Sequence, residues 1–215
     1  MKIFEFKSVE STQDIALKKD FECAVVTQEQ TKGRGRFDRK WESLSGNLFV
    51  SIVVKADIAD IFKLVMASSV AIREAISCGD IKWPNDVLIN SKKASGVLIE
   101  KGQEGFYVIG IGINIIKAPK ISNLIYPATS LREEGVETTA KVVLEKLLVN
   151  IKECLKDENL YNKYKSYLYG ISKECKINDV EGTLIDIDKS GFIIVKDKED
   201  NLQKIFAGDL LFKGV

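Results

Sequence analysis

Apolar and polar positions trade places with a period of two from Lys2 to Phe6, the pattern of a half-buried strand. Ser11 or Thr12 stands where a short helix running to about Lys19 would be capped, and the apolar run Cys23 to Thr27 predicts a second strand. Residues 28–46 lose all periodicity, are dense in charge and carry glycine, so they predict a long loop before the strand Asn47 to Val54. Loops of that length in compact domains commonly carry function. Ile58, Ile61, Phe62, Val65, Ser69, Ile72 and Ile76 fall on one helical face and predict an amphipathic helix over 58–77.

The pattern then returns to strand. Ile81 to Trp83, Asp86 to Ile89, Gly96 to Glu100 and Phe106 to Ile116 form a mostly antiparallel meander with turns at Asn90 to Lys93 and Gly102 to Gly105. Val143, Leu147, Leu148, Ile151 and Leu155 mark a second long helix, and Tyr161 to Tyr169 continues helical to Gly170. Beyond it, Glu174 to Asn178, Gly182 to Ile187, Phe192 to Lys196 and Leu202 to Phe206 are short strands joined by tight polar turns. The expected architecture is α+β: a mixed or antiparallel sheet flanked by helices in residues 1–169, then a small SH3-like β-barrel in 170–215.

Composition narrows the chemistry more than the fold. At 45% hydrophobic and 29% charged residues, the 215-residue chain is ordinary for a globular protein. No apolar stretch reaches the ~18 to 20 residues of a membrane span and Met1 to Phe6 lacks a basic region followed by an apolar run, so the expected compartment is the cytoplasm. Cys23, Cys78, Cys154 and Cys175 are scattered and read as packed thiols, with no metal set. The absence of histidine excludes Ser-His-Asp and Cys-His triads and leaves charge stabilisation by lysine, arginine and carboxylates.

Charge is focused. Lys32 to Trp41 holds five cations and one anion, +4, which leaves −3 for the rest of a chain of net charge +1. Gly33 and Gly35 let backbone N–H groups approach a ligand, Arg34, Arg36 and Arg39 offer forked donors for carboxylate and phosphate, and Trp41 offers a flat face. A solvated basic loop is the plain alternative. Lys82-Trp83-Pro84-Asn85-Asp86 is stiffened by proline between two apolar strands, so its polar groups are aimed. Lys93 and Gly96 follow in Lys92-Lys93-Ala94-Ser95-Gly96. Gly110-Ile111-Gly112-Ile113-Asn114 is not a dinucleotide fingerprint, because Ile115 stands at the position after Asn114 and the surroundings are strand. There is no Gly-Lys-Ser/Thr phosphate loop either.

In this order, Gly33-Arg34-Gly35-Arg36 to Trp41, Lys82 to Asp86, Lys93 to Gly96 and Gly112-Ile113-Asn114 resemble the signature series of biotin protein ligases. Ser11-Thr12-Gln13 and Gln30 upstream and Ala207-Gly208-Asp209 downstream extend the resemblance over nearly the whole chain. Ala94 departs from it, standing where the family usually has a larger aliphatic residue. The sequence opens directly on the catalytic region, without the winged helix that some family members use as a repressor, so no role on DNA is expected.

It implies a ligase that joins biotin to ATP as biotinoyl-AMP and passes it to a lysine of a biotin carboxyl carrier protein. By resemblance, Ser11, Thr12, Gln13, Gln30, Gly33, Arg34, Gly35, Arg36, Lys82 and Gly96 bind biotin. Arg36, Arg39, Trp41, Asn85, Lys93 and Asn114 hold ATP. Lys82, Arg36, Lys93 and Asp86 carry the chemistry, with Mg²⁺ bridging phosphates and Asp86 assisting it or orienting the lysines. A homodimer is expected on the same ground. Two other readings stay open: a lipoate-protein ligase, and a nucleic-acid-binding module, against which the near-zero net charge argues.

Overall fold

A computed structural model describes residues 1–37, 39–56, 61–120 and 126–213. Two sheets organise it. Strand β1 (Lys2–Val9) leads into helix α1 (Thr12–Ala16) and strand β2 (Cys23–Gln30), which pairs with β1 in parallel from Lys2↔Cys23 to Val9↔Gln30. Ser11 is the cap, its Oγ accepting the Asp14 N–H at 3.3 Å. The helix stops short of the expected Lys19 because Lys18 and Lys19 donate three residues back, to Ile15 and Ala16, tightening the last turn. Pairing with β1 also carries β2 to Gln30, past the expected end at Thr27, so the basic loop is shorter than its composition predicts.

Strand β3 (Leu48–Lys55) follows, then helix α2 (Ile61–Ile76). Ile58 of the expected helical face lies outside the described residues. Strands β4 (Asp80–Lys82), β5 (Asp86–Ile89), β6 (Lys92–Lys101) and β7 (Phe106–Ile113) make the antiparallel meander. Asn90 and Ser91 both take positive φ, 49° and 62°, which gives the tight two-residue turn of a hairpin. Lys93 therefore sits in β6, which begins at Lys92 and not at Gly96 as its apolar content suggests. The seven strands lie in the order β1-β2-β3-β7-β6-β5-β4.

Alternation along β3 divides the two faces. Val50, Ile52 and Val54 join the main core beneath α2 and helix α3 (Ala140–Cys154), while Val53 packs with Ala16, Cys23, Val25 and Val108 under α1. Helix α4 (Leu160–Ser166) ends before Gly170, at Tyr167, and Gly170 turns the chain with φ 87° against the Phe212 ring.

Strands β8 (Glu174–Ile177), β9 (Val180–Ile187), β10 (Ile193–Asp197), β11 (Leu202–Ile205) and β12 (Leu211–Phe212) build the second sheet, antiparallel in the order β11-β10-β9-β8-β12. The short β12 has no periodic signal and was not expected. Among the described residues β11 and β12 do not pair with each other, so closure into a barrel is not seen. The sheet is tied to the first one through the buried Trp83, whose indole N–H donates to the Gly191 carbonyl at 3.0 Å. Among the described residues no helix is long and apolar enough to cross a membrane, and no group of three or more His, Cys, Asp or Glu is gathered to hold a metal. The four cysteines are free thiols.

Candidate functional site

The α1 face of the large sheet opens into a cavity of about 360 Å³, the size of a small-ligand site. Its wall is drawn from distant parts of the chain: the start of α1, the loop after β2, the β4–β5 connection, β6, β7 and the segment before β12. Of the residues singled out by sequence, Ser11, Thr12, Gln13, Gln30, Arg34, Gly35, Arg36, Arg39, Trp41, Lys82, Asn85, Asp86, Lys93, Gly96 and Asn114 all line it. Gly33 does not. It faces the loop's own backbone, where its carbonyl accepts the Trp41 N–H at 2.9 Å and an added Cβ would stand 2.5 Å from the Trp41 carbonyl oxygen.

One end of the cavity is neutral and already hydrogen-bonded. Thr12 donates its backbone N–H to Gln30 Oε1 at 2.9 Å, and its hydroxyl lies 2.8 Å from Ser51 Oγ. Ser51 in turn donates to Gln13 Oε1 at 2.9 Å, and Gln13 Nε2 donates to the Val108 carbonyl at 3.3 Å. Thr12, Gln13 and Ser51 are buried. Ser51 gave no sequence signal, because a serine in an apolar strand has no periodicity of its own. Gly110 makes room for this shelf: a Cβ there would come within 2.5 Å of Gln13 Oε1. Gly112 does the same for Trp41, whose ring would lie 2.3 Å from an added Cβ.

The loop over the cavity folds back on itself as a small hairpin, with Gly35 donating to the Arg39 carbonyl at 2.7 Å and Arg34 bridged to Lys40. Its three arginines go to three places. Arg34, rather exposed, pairs with Asp14 at 2.7 Å and Glu100 at 3.0 Å. Arg36 donates to the neutral Asn85 Oδ1 at 2.9 Å, and burial pulls its pKa below the usual arginine value. Arg39 pairs with Asp209, a carboxylate supplied by the segment before β12; the hydrogen bond holds the Arg39 pKa up and the Asp209 pKa down.

Opposite them stands Lys82, 5% exposed, with no hydrogen bond or ion pair to its ammonium among the described residues. Burial depresses its pKa to about 8, and the positive charges of Lys93 and Arg36 add to the effect against Asp86 and Asp209. Lys93 is paired with Asp86 at 2.7 Å, yet the buried Asp86 Oδ1 accepts no hydrogen bond of good geometry. The Trp41 indole N–H is likewise buried without an acceptor. With Arg36, Arg39, Lys82 and Lys93 against Asp86 and Asp209, this end carries two surplus positive charges, an arrangement suited to anions.

Asn114 lines the cavity but both ends of its amide are engaged by the protein, Nδ2 with the Thr129 carbonyl at 3.1 Å and Oδ1 with Asn47 at 3.5 Å. Asn47 Oδ1 accepts the N–H groups of Ile115, Ile116 and Lys117 and shapes the chain leaving β7. Asn47, Ser51, Tyr126 and Asp209 are the wall or support residues that sequence reasoning did not choose for the site. Asp209 alone had a signal, in the Ala207-Gly208-Asp209 motif.

Comparison with known proteins places these features in context. Residues 5–114 match the model of the biotin/lipoate A/B protein ligase family. The bifunctional ligase/repressor BirA of Bacillus subtilis is 31% identical over 211 residues, covering 86% of this chain and 65% of its own length. The chain thus spans just under two thirds of that relative. A biotin–[acetyl-CoA-carboxylase] ligase of Paracoccus denitrificans is 35% identical over 108 residues, 44% of this chain and 45% of that one. The structure of the biotin protein ligase from Aquifex aeolicus in complex with biotin and ATP superposes with a TM-score of 0.88 at 29% identity, covering 99% of this chain and 98% of that one.

Proposed function

The chain belongs to the biotin/lipoate A/B protein ligase family, and within it we propose that this protein is a biotin protein ligase, condensing biotin with ATP to biotinoyl-AMP and transferring the acyl group to a lysine of a carrier protein. The observation that carries this reading is the union, in one cavity, of a neutral hydrogen-bonding shelf with a buried ammonium that makes no hydrogen bond or ion pair among the described residues.

The shelf of Ser11, Thr12, Gln13, Gln30 and Ser51 suits the neutral ureido ring, and the Lys82 ammonium suits the carboxylate at the other end of the same molecule. Bringing that carboxylate to an α-phosphate sets anion against anion, and Lys82, Lys93 and Arg36 offset the repulsion and the charge of the pentavalent transition state. Arg39 and Trp41 belong to the nucleotide side; the amides of Asn85 and Asn114, each engaged at both ends by the protein, make these two supports of that side. No protein nucleophile is needed, in keeping with a chain that has no histidine. Asp86, whose Oδ1 lies 2.7 Å from the Lys93 ammonium, would orient that lysine, and a Mg²⁺ carried in on the phosphates would neutralise phosphate charge.

In the second step the carrier lysine, as the free amine, attacks the mixed anhydride; the C–N bond forms as the acyl–phosphate C–O bond breaks, AMP leaves with the electron pair, and the amine proton passes to solvent. The loop of Gly33 to Trp41 serves this step by excluding water. Residues 1–169 are read as the ligand-binding unit and 170–215 as its cap, with a cytoplasmic homodimer as the working form.

The test is mass spectrometry after mixing protein, ATP, Mg²⁺ and either biotin or lipoate. A biotinoyl-AMP mass with biotin and none with lipoate supports the reading; a lipoyl-AMP mass alone replaces it.

A further inference from the structure

Lys82 has to be held in place without a partner of opposite charge in contact. It arises at the end of the three-residue strand β4, and its ammonium reaches into the cavity with no hydrogen bond among the described residues. The group that does face it is the ring of Tyr126, whose centroid lies 4.7 Å from Nζ. A ring face at that distance attracts an ammonium through its quadrupole, the more so when both are shielded from water. Tyr126 is 4% exposed and lines the same cavity.

The Tyr126 hydroxyl is engaged on both sides. It donates to the Leu210 carbonyl at 3.1 Å and accepts the Phe212 N–H at 3.1 Å. Phe212 lies in β12, at the edge of the second sheet, Leu210 immediately precedes that strand, and Asp209, which pairs with Arg39 of the loop, comes just before Leu210. One short segment of the second sheet thus touches the loop through Asp209 and the lysine through Tyr126.

We propose, on the basis of the ligase reading above, that Tyr126 is a positioning residue for the activation step: its ring holds the Lys82 ammonium and its hydroxyl anchors that ring to the C-terminal sheet. A tyrosine that merely filled the core would need partners for its hydroxyl, as Tyr164 does, but not a cation over its face. The arrangement gives the second sheet a part in adenylation that does not depend on its touching biotin.

The first test uses the full chain without biotin or ATP. Lysine ε-amines are titrated by ¹⁵N NMR in the parent, Tyr126→Phe and Tyr126→Leu. The charged groups around Lys82 are Asp86, Asp209, Lys93 and Arg36, unchanged in all three. Tyr126→Phe keeps the ring and should keep the Lys82 midpoint; Tyr126→Leu should lower it by about half to one unit, the size of a shielded cation–π contact. An unchanged or raised midpoint in Tyr126→Leu overturns the ring's role.

The second test follows pyrophosphate release with biotin and ATP. Tyr126→Phe should slow it about fivefold, the worth of a typical buried hydrogen bond, and should add nothing in a Lys82→Ala background. An equal loss in both backgrounds means a structural role alone and overturns the anchoring. Failure of the parent to release pyrophosphate with biotin would count against the ligase reading, while the ligand-free titration would still decide the contact between Tyr126 and Lys82.

Discussion

The two ends of the cavity are built on opposite terms. At the Thr12–Ser51–Gln13 end, donors and acceptors are matched before any ligand arrives, across three secondary-structure elements, so the shelf is rigid and costs little to maintain. At the Lys82 end, among the described residues, the buried ammonium makes no hydrogen bond or ion pair, the Trp41 indole N–H has no acceptor, and Asp86 Oδ1 meets only the Lys93 ammonium. Such groups cost stability in the free protein. The depressed pKa of Lys82 states this directly: its charged form is disfavoured by folding, so its cost is present below about pH 8 and is relieved as pH rises toward 10.5. An incoming anion relieves it too. The neutral end is thus arranged to recognise, and the cationic end to be completed by what it binds.

The hardest test of that division is removal of the ammonium. Lys82→Ala should reduce the rate of pyrophosphate release by ~10²-fold or more, the range seen when one preorganised donor is deleted. Because the lysine is a net cost to the free protein, the same variant should melt no lower than the parent. Near-normal adenylation would take Lys82 out of the chemistry. Arg36 comes next. Its guanidinium is partly buried and, among the described residues, hydrogen-bonded only to a neutral amide, leaving its charge for the ligand. Arg36→Gly should release the adenylate about ten- to a hundredfold faster, the worth of a charge-assisted hydrogen bond, and label lysines of bystander proteins. Retention as tight as the parent's, measured by filter binding, would mean that the loop is not the gate.

The neutral end should respond differently. Ser51→Ala strands Thr12 and Gln13 partners and should raise KM for biotin about tenfold with kcat little changed, since ring recognition is felt equally in ground and transition states. A fall in kcat with KM unchanged would erase the distinction between the ends. A pH series sharpens it further. Lys82 is charged below its pKa of about 8, so kcat/KM for biotin should fall as pH rises through that value, about fivefold between pH 8 and 9. The limb should vanish in Lys82→Ala and persist in Ser51→Ala.

The two ends were also unequally legible in the sequence. Charged side chains held by glycine and proline announce themselves, and Lys82, Asp86 and the arginine loop could be selected from residue type alone. The neutral shelf could not, because Ser51 sits in an eight-residue strand whose other members are apolar or terminal, and its meaning comes from pairing with α1, far off in sequence. Pairings between distant segments account for the other differences. β2 reaches Gln30 because β1 lies beside it, and β12 exists because β8 pairs with it at Cys175 and Lys176. Tyr126 showed no period, being fixed by backbone groups at Leu210 and Phe212, over eighty residues away. The helices α2 and α3, by contrast, were legible as spaced apolar positions, since a helix carries its own periodicity, although Ile61 of the expected α2 face is half exposed and the buried face turns toward Leu64, Ala67 and Ala71.

Arg34 gives the smallest expected effect and a sensitive comparison, because it shares the loop with Arg36 and differs from it only in surroundings. Resemblance alone assigns both to ligand binding. Yet the Arg34 guanidinium is already paired with Asp14 and Glu100, and at 40% side-chain exposure those pairs sit in a medium where salt and water weaken them. Surface pairs of this kind are worth ~0.2 to 1 kcal/mol. Arg34→Ala should therefore cost no more than about a twofold to fivefold rise in KM for biotin, by loosening the hinge between the loop and α1. That rise should shrink in high salt, as the parent's own pairs are screened, whereas the adenylate leakage of Arg36→Gly should persist there. If Arg34→Ala instead matched Arg36→Gly in leakage, both guanidinium groups would serve the adenylate and the paired state of Arg34 would have to open on binding.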